Sequence, residues 1–175
     1  MPLKPWRTLS TREVYQNPWI ALREDIAQLP NGKTTIYGVI ECPAAVGVLP
    51  FVDTNHVIMV RQYRYVFGEN HRWEMPTGTV KPGESLVAAA RRELQEEIGY
   101  DATELEQIST FYSSKSVMQE IAHLFIGRGL VQAPAPAMPD ETEFLEVAVL
   151  PFEQVLQMVL NSEIRDSMTI TAVLL

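Results

Sequence analysis

The stretch that decides the fold is residues 78–100, which read GTVKPGESLVAAARRELQEEIGY. Within it, four apolar residues recur every four positions and therefore form one stripe along an α-helix. These residues are Leu86, Ala90, Leu94 and Ile98. Gly99 follows directly and supplies a C-terminal stop, because glycine adopts the left-handed conformation that ends many helices. The sequence predicts a helix from about Ser85 to Ile98 with one buried face.

Three carboxylates share a second face of this helix. Glu93, Glu96 and Glu97 stand at positions i, i+3 and i+4, so their side chains emerge together beside the apolar stripe. Like charges at this spacing destabilise a helix unless a counterion neutralises them. Arg91 and Arg92 could do so in part. A hard divalent cation would do so better, because carboxylate oxygens suit Mg2+ or Mn2+. Taken alone, such a trio is more often a solvated acidic face.

The spacing of the surrounding residues sets this trio apart. Seven positions within the 23 residues are Gly78, Glu84, Arg92, Glu93, Glu96, Glu97 and Gly99. This pattern resembles the Nudix box: glycine, five residues, glutamate, seven residues, Arg-Glu, an aliphatic residue, any residue, Glu-Glu, any residue, glycine and an aliphatic residue. Only the last position departs, with Tyr100 in place of an aliphatic residue. So long a match is far more specific than a short glycine motif.

The resemblance implies an α/β fold, a Nudix α/β/α sandwich with a mixed sheet, and Mg2+ as cofactor, with Mn2+ as the alternative. It also implies a reaction in which water displaces a group at phosphorus. By resemblance, the metal-binding residues are Glu93, Glu97, Glu96 and the carbonyl of Thr77. Glu96 would act through metal or water, Arg92 would orient the carboxylates by ion pairing, and Glu84 would support the box.

The residues on either side of the box predict strands. Residues 20–29 alternate roughly, Asn31-Gly32 is a hairpin turn signal, and residues 34–40 form the return strand. Further strands are predicted at 44–52, 57–65, 105–112, 121–126 and 144–150, with helices at 151–160 and from residue 166. The chain thus divides into an N-terminal antiparallel β arm at 1–42 and a hydrolase domain at 43–175.

Composition narrows the class of protein. The chain has 175 residues and a net charge of −8, from 22 acidic and 14 basic residues, which argues against a nucleic-acid-binding protein. No apolar run is long enough to cross a membrane, and no apolar segment follows the basic residues near the N-terminus as in a secretory signal. With a single cysteine, Cys42, no intramolecular disulfide can form. We expect a cytoplasmic enzyme.

Segments outside the box resemble the ADP-ribose pyrophosphatase branch of the family. They include Tyr15–Trp19, Leu29–Gly32, Arg61–Arg64, Trp73–Gly78 and Glu143–Leu150. In that branch the arm exchanges with a partner subunit, so the resemblance implies a homodimer. It also implies a nucleotide-sugar substrate, such as ADP-ribose, cut at its pyrophosphate bond.

Substrate contacts follow from the same resemblance. Arg64 would contact the phosphates, Trp19 would stack on a base, and Glu74 would face the substrate or the dimer interface. Glu120 would touch metal or sugar. For each, a purely structural role is the alternative. Lys115 stands where the branch usually has proline, in a segment resembling Ser-Pro-Gly, and offers an ammonium to a phosphate or sugar oxygen. We therefore expect no strong preference for ADP-ribose over other nucleotide sugars.

The catalytic base of this branch comes from an acidic loop after the box. Here that loop is Asp140-Glu141-Thr142-Glu143, in which Glu143 aligns best and Glu141 second, with Glu120 next. Three other functions stay open: hydrolysis of GDP-mannose or a dinucleotide, a non-catalytic module that binds nucleotide sugars, and nucleic-acid decapping. The complete set of box carboxylates favours hydrolysis, and the acidic net charge argues against decapping.

Overall fold

The computed structural model describes residues 4–70, 72–134 and 144–175. The chain forms two compact units, one at 1–43 with 112–121 and the other at 44–111 with 122–175. The strands are β1 (Arg7–Gln16), β2 (Ala21–Gln28), β3 (Thr34–Glu41), β4 (Ala45–Pro50), β5 (His56–Arg61), β6 (Tyr63–Arg64), β7 (Glu69–Asn70), β8 (Thr77–Thr79), β9 (Tyr100–Tyr112), β10 (Ile121–Gln132) and β11 (Glu146–Pro151). The helices are α1 (Leu86–Ile98), α2 (Phe152–Leu160) and α3 (Ser167–Leu174). Among the described residues, none of these helices has the length and apolar character needed to cross a bilayer.

Strand β4 runs through the middle of the second unit. It pairs in parallel with β10 and antiparallel with β8, in a sheet of order β8-β4-β10-β9. All of its residues are buried, as expected for a strand covered on both faces. The predicted mixed sheet is therefore confirmed.

Helices cover both faces of these strands. On one side, Val46 of β4 packs in the same cluster as Leu94 of α1. On the other, Met59 of β5 packs in a cluster with Val155 of α2 and Met168 of α3. Because successive strand residues point to opposite faces, one run of apolar sequence serves both clusters. The predicted α/β/α sandwich is confirmed.

The first unit is an antiparallel sheet of order β1-β2-β3. Its hairpin turn contains Gly32 at a φ of 82°, a conformation that residues with a Cβ rarely adopt. The segment at 112–121 joins this unit through Ile40, whose N–H donates to Val117 O at 2.8 Å and whose carbonyl accepts from Gln119 N–H at 2.9 Å. The predicted antiparallel arm is present, with one strand more than the sequence indicated.

The strands differ from the sequence prediction in several places. Strand β1 was not anticipated, because its ten residues are all exposed and carry little apolar alternation. Strand β9 begins at Tyr100 rather than near Leu105, and β10 runs past Ile126 to Gln132. The predicted strand at 57–65 is two strands, since β5 ends at Arg61.

Candidate active site

Helix α1 is fixed at both ends by capping interactions. Ser85 is its N-cap, and the Ser85 hydroxyl accepts a hydrogen bond from the Ala88 N–H at 3.2 Å. Gly99 is its C-cap at a φ of 73°, and the Gly99 N–H donates to the carbonyls of Gln95 and Leu94. These caps place the start and end of the helix where the sequence predicts them.

Two of the three helix carboxylates are buried. Glu93 and Glu97 are each 6% exposed, whereas Glu96 is half-buried. The Thr77 N–H donates to Glu97 Oε2 at 3.2 Å. A Cβ on Gly78 would overlap the Glu93 carboxylate, so glycine allows the β8 backbone to approach the helix this closely. The reading of the trio as a solvated face is therefore wrong for two of its members.

Arg92 donates hydrogen bonds to several carboxylates of the box. Its Nε and Nη2 donate to the two oxygens of Glu84, each at 2.9 Å. Its Nη1 donates to Glu93 Oε1 at 2.6 Å and to Glu96 Oε2 at 2.9 Å. The Nη2 also donates to Thr79 O at 2.8 Å. A planar guanidinium can serve several acceptors at once in this way, which an ammonium cannot do with the same geometry.

These hydrogen bonds also set the charge states. The side-chain hydrogen bonds from Arg92 lower the pKa of Glu84 to about 2. In return, the carboxylates raise the pKa of Arg92 above its usual range, and the hydrogen bonds to Glu84 make the largest contribution. Both groups are therefore charged at neutral pH. Arg92 therefore pairs with Glu84 while it also donates to Glu93 and Glu96.

Arg91 does not take part in this cluster. Its Nη1 pairs with Asp101 Oδ1 and donates to Ala102 O at 2.6 Å. Gln95 Nε2 donates to the second oxygen of Asp101 at 3.3 Å. The expectation that Arg91 helps to neutralise the trio is wrong, because Arg91 points to the start of β9.

The donor set suits a divalent cation. Glu93, Glu96 and Glu97 offer carboxylate oxygens and Thr77 can add a carbonyl oxygen, which are the ligand types that Mg2+ prefers. Gly78 lets the backbone of β8 approach the Glu93 carboxylate closely. Among the described residues, no three acidic, histidine or cysteine side chains are already gathered around a point that could hold a metal ion. Instead, one Glu93 carboxylate oxygen accepts a hydrogen bond from Arg92, and one Glu97 carboxylate oxygen accepts from the Thr77 N–H. By chemistry and burial, these residues fit the cation.

Arg64 and Glu74 form a second charged site in the same unit. Arg64 Nη2 donates to Glu74 Oε1 at 2.5 Å, and Arg64 Nε donates to Glu74 Oε2 at 3.2 Å. Glu74 is 7% exposed, and burial raises its pKa although the nearby Arg64 opposes the change. The pair lines a cavity of about 590 Å3 with Tyr65, Phe67 and Arg165. Two residues that we assigned separately to the substrate are thus partners.

The remaining predicted contacts lie in the first unit. Trp19 is 73% exposed, and its backbone N–H donates to Asn17 Oδ1 at 2.9 Å. Lys115 is exposed and lines a cavity of about 180 Å3, while Glu120 is half-buried. Both candidates for the base from the acidic loop, Glu143 and Glu141, lie outside the described residues.

One contact near the site was not foreseen. The Met75 N–H donates to the Thr169 hydroxyl at 3.0 Å, across 94 positions of sequence. Asp166 is a residue type that often begins a helix, so the start of α3 is predictable from sequence. Nothing in the sequence pattern connects that helix to Met75, just before the box.

Family models match both parts of the chain. Residues 42–169 match the NUDIX domain, and residues 6–40 match the nucleoside diphosphate sugar hydrolase N-terminal domain. The ADP-ribose pyrophosphatase of Bacillus subtilis (strain 168) is 34% identical over 95% of this chain and 90% of that protein. The methanol dehydrogenase activator of Bacillus methanolicus matches with the same identity and coverage.

Solved structures agree on the fold. A crystal structure of an ADP compounds hydrolase superposes with a TM-score of 0.87 at 23% identity, over 99% of this chain and 93% of that one. The domain match, the sandwich and the complete carboxylate set define one class of protein. The chain belongs to the Nudix family and is a pyrophosphohydrolase.

Proposed function

We propose that the protein is a Mg2+-dependent hydrolase of the pyrophosphate bond in ADP-ribose or a related nucleoside diphosphate sugar. The observation that carries this proposal is the pair of buried carboxylates, Glu93 and Glu97, held against Thr77 and Gly78 and braced by Arg92. Burying two carboxylates on one helix face carries a desolvation cost, which a bound divalent cation would offset. The site therefore favours metal-assisted chemistry.

Glu93 and Glu97 would hold the metal, with Glu96 and the Thr77 carbonyl completing the set. When bound, Mg2+ supplies activation of water and offsets the charge of the pyrophosphate. Mn2+ offers similar oxygen coordination. Arg92 would keep the carboxylates aligned, since its Nη1 donates to Glu93 and Glu96 while its Nε donates to Glu84.

The reaction adds one water across the pyrophosphate. A water oxygen bonds to one phosphorus, the bond from that phosphorus to the bridging oxygen breaks, and the bridging oxygen leaves with the other phosphate. The products are a nucleoside monophosphate and a sugar phosphate. Glu143 is the proposed acceptor of the water proton, ahead of Glu141 and Glu120. An ionised carboxylate can act as the general base for this step.

The substrate class rests on the relatives and on the arm. The Bacillus subtilis relative is named for ADP-ribose, and residues 6–40 match a domain named for nucleoside diphosphate sugars. We propose that Arg64 contacts the phosphates, that Trp19 stacks on the base, and that Glu74 faces the substrate or the dimer interface. Glu120 would touch metal or sugar, and Lys115 would reach a phosphate or sugar oxygen. The arm at 1–42, the hydrolase domain at 43–175, a homodimer and a cytoplasmic location belong to the same proposal.

Product analysis tests this function. The purified chain is incubated with ADP-ribose and Mg2+, and the products are separated by chromatography. We expect AMP and ribose 5-phosphate in equal amounts, and no turnover after EDTA treatment until Mg2+ is restored. ADP-glucose, GDP-mannose and a dinucleotide serve as the alternative substrates. Tight binding of ADP-ribose without turnover would show a binding module instead.

A further inference from the structure

The segment Glu74–Gly78 presents backbone to the box carboxylates. Its start is fixed to β5, where the Glu74 N–H and carbonyl exchange hydrogen bonds with Val60, each at 2.8 Å. Its middle is fixed to β4, where the Pro76 carbonyl accepts from the Val48 N–H at 3.0 Å. Its end meets the helix, where the Thr77 N–H donates to Glu97. The position of this segment therefore sets the distance between Thr77 and the carboxylates.

Helix α3 supplies a further attachment between these fixed points. The Met75 N–H donates to the Thr169 hydroxyl at 3.0 Å. That hydroxyl in turn donates to Asp166 Oδ2 at 2.6 Å. The same carboxylate oxygen accepts from the Thr169 N–H at 2.7 Å, and Oδ1 accepts from the Met168 N–H at 3.4 Å. Asp166 thus caps α3 and orients the hydroxyl that holds Met75.

The part of this chain of hydrogen bonds that involves Met75 and Thr169 is buried beside an apolar cluster. Met75 and Thr169 are fully buried at 0% exposure, and Met168 and Ala172 pack in the same cluster as Met75. Water has little access to the Met75 N–H there. Losing the hydroxyl would leave that donor unsatisfied, and a buried donor without a partner destabilises the position it occupies. The backbone at Met75 would have to move to find another acceptor.

Close packing makes such a movement reach the site. A Cβ on Gly47 would overlap the Met75 side chain and would lie 3.2 Å from the Thr77 methyl group, so the segment is pressed onto β4. Two residues beyond Met75, the Thr77 backbone meets Glu97. A shift at Met75 therefore displaces Thr77 relative to the carboxylates.

We propose that Thr169, oriented by Asp166, is a positioning residue for the metal site. It holds the Met75 backbone, and so fixes where the Thr77 backbone stands beside Glu97, one of the residues proposed to hold the metal. This inference rests on the proposed metal-dependent function. Groups that orient metal ligands from outside typically contribute tenfold to a hundredfold in affinity.

The test compares three variants of the full chain. Thr169→Val removes the hydroxyl at nearly constant shape, and Thr169→Ser keeps it. Thr171→Val is the matched control, because the Thr171 hydroxyl donates to the Ser167 carbonyl of the same helix at 2.7 Å and does not hold the Met75 backbone. Mn2+ affinity is measured by calorimetry without substrate, and amide exchange is followed in the peptide that contains Met75.

Thr169→Val should weaken Mn2+ binding by about tenfold and speed exchange at Met75. Thr169→Ser should stay within about threefold of the wild type, and Thr171→Val within about twofold. Asp166→Asn tests the same role from the other side of the hydrogen bond. Asparagine still caps α3, but it is uncharged and replaces one carboxylate oxygen by an NH2 donor, so it orients the Thr169 hydroxyl less well. It should weaken Mn2+ binding by about threefold with the helix intact.

Wild-type Mn2+ affinity in Thr169→Val would overturn the positioning role, even if exchange at Met75 becomes faster. Equal losses in Thr169→Ser and Thr169→Val would overturn it as well, because the hydroxyl would then be irrelevant. A wild-type chain that binds Mn2+ but hydrolyses no nucleotide sugar would contradict the proposed function and leave this inference standing.

Discussion

Helix α1 and strand β1 of the arm use charged side chains in opposite ways. In α1, Glu93 and Glu97 are each 6% exposed and Arg92 contacts four acceptor groups. In the arm, Arg12 on β1 pairs with Glu24 at 3.0 Å, with side chains 70% and 34% exposed. Exposed pairs of this kind contribute little to stability. The arm does bury Asp25, which is 6% exposed and accepts from Arg23 Nε. What sets α1 apart is that two buried carboxylates stand one turn apart on the same helix.

Apolar side chains show the same contrast between the two regions. The box helix buries Leu94 completely, whereas the arm leaves large side chains in the open, including Trp19 at 73%, Ile36 at 64% and Tyr15 at 54%. Exposed apolar surface in quantity marks contact sites. The arm therefore has the character of a surface that is completed by another molecule, in line with the proposed homodimer.

The largest expected effect comes from the buried carboxylates. Glu97→Gln keeps the shape and removes the charge, so we expect kcat to fall by about a thousandfold, some 4 kcal/mol of activation free energy. Glu24→Gln in the arm should change kcat by less than about twofold. Steady-state kinetics with ADP-ribose at saturating Mg2+ measures both. Similar effects at the two positions would break the comparison.

The acidic loop should produce the next largest effect. Glu143→Gln is expected to lower kcat by about a hundredfold with little change in KM, because a general base acts in the chemical step. Glu141→Gln should lower kcat much less. Measuring kcat and KM separately for both variants assigns the base. Equally small losses would move that role elsewhere, with Glu120 the next residue to substitute.

The arm offers a smaller effect, on binding rather than chemistry. Trp19→Ala should raise KM for ADP-ribose by about tenfold, as loss of a stacked aromatic does for a base. Trp6→Ala is its control, since Trp6 is also exposed on the arm and contacts Tyr37 edge-on with ring centroids 6.1 Å apart. Unchanged KM in Trp19→Ala would remove the arm from the nucleotide site.

The smallest effect concerns pH and stability. Arg92 lowers the pKa of Glu84 to about 2 from a reference value of 4.5. The ionised form is thus favoured in the folded state, so its stabilisation is present above about pH 4.5 and is lost as pH falls toward 2. Thermal unfolding of wild type and Glu84→Gln should differ most near neutral pH and converge in acid. A pH-independent difference would contradict the ion pair.

Local pattern predicted much of the site. The stripe of Leu86, Ala90 and Leu94 and the stop at Gly99 predicted α1, because helical period and capping are local properties. The partner of Arg91 and the bond from Met75 to Thr169 were missed, since both depend on which distant segments the fold brings together. Strand β1 was missed because its pairing with β2 rests on backbone bonds rather than on a buried face.

Metal binding tests the central claim most directly. Mn2+ affinity is measured by calorimetry, without substrate, for the wild type, Glu93→Gln, Glu97→Gln and Glu104→Gln, the last being exposed on β9. The buried pair predicts that Glu93→Gln and Glu97→Gln each weaken binding by at least about tenfold, while Glu104→Gln stays within about twofold. Wild-type affinity in both Glu93→Gln and Glu97→Gln would contradict the assignment of the metal site to this helix.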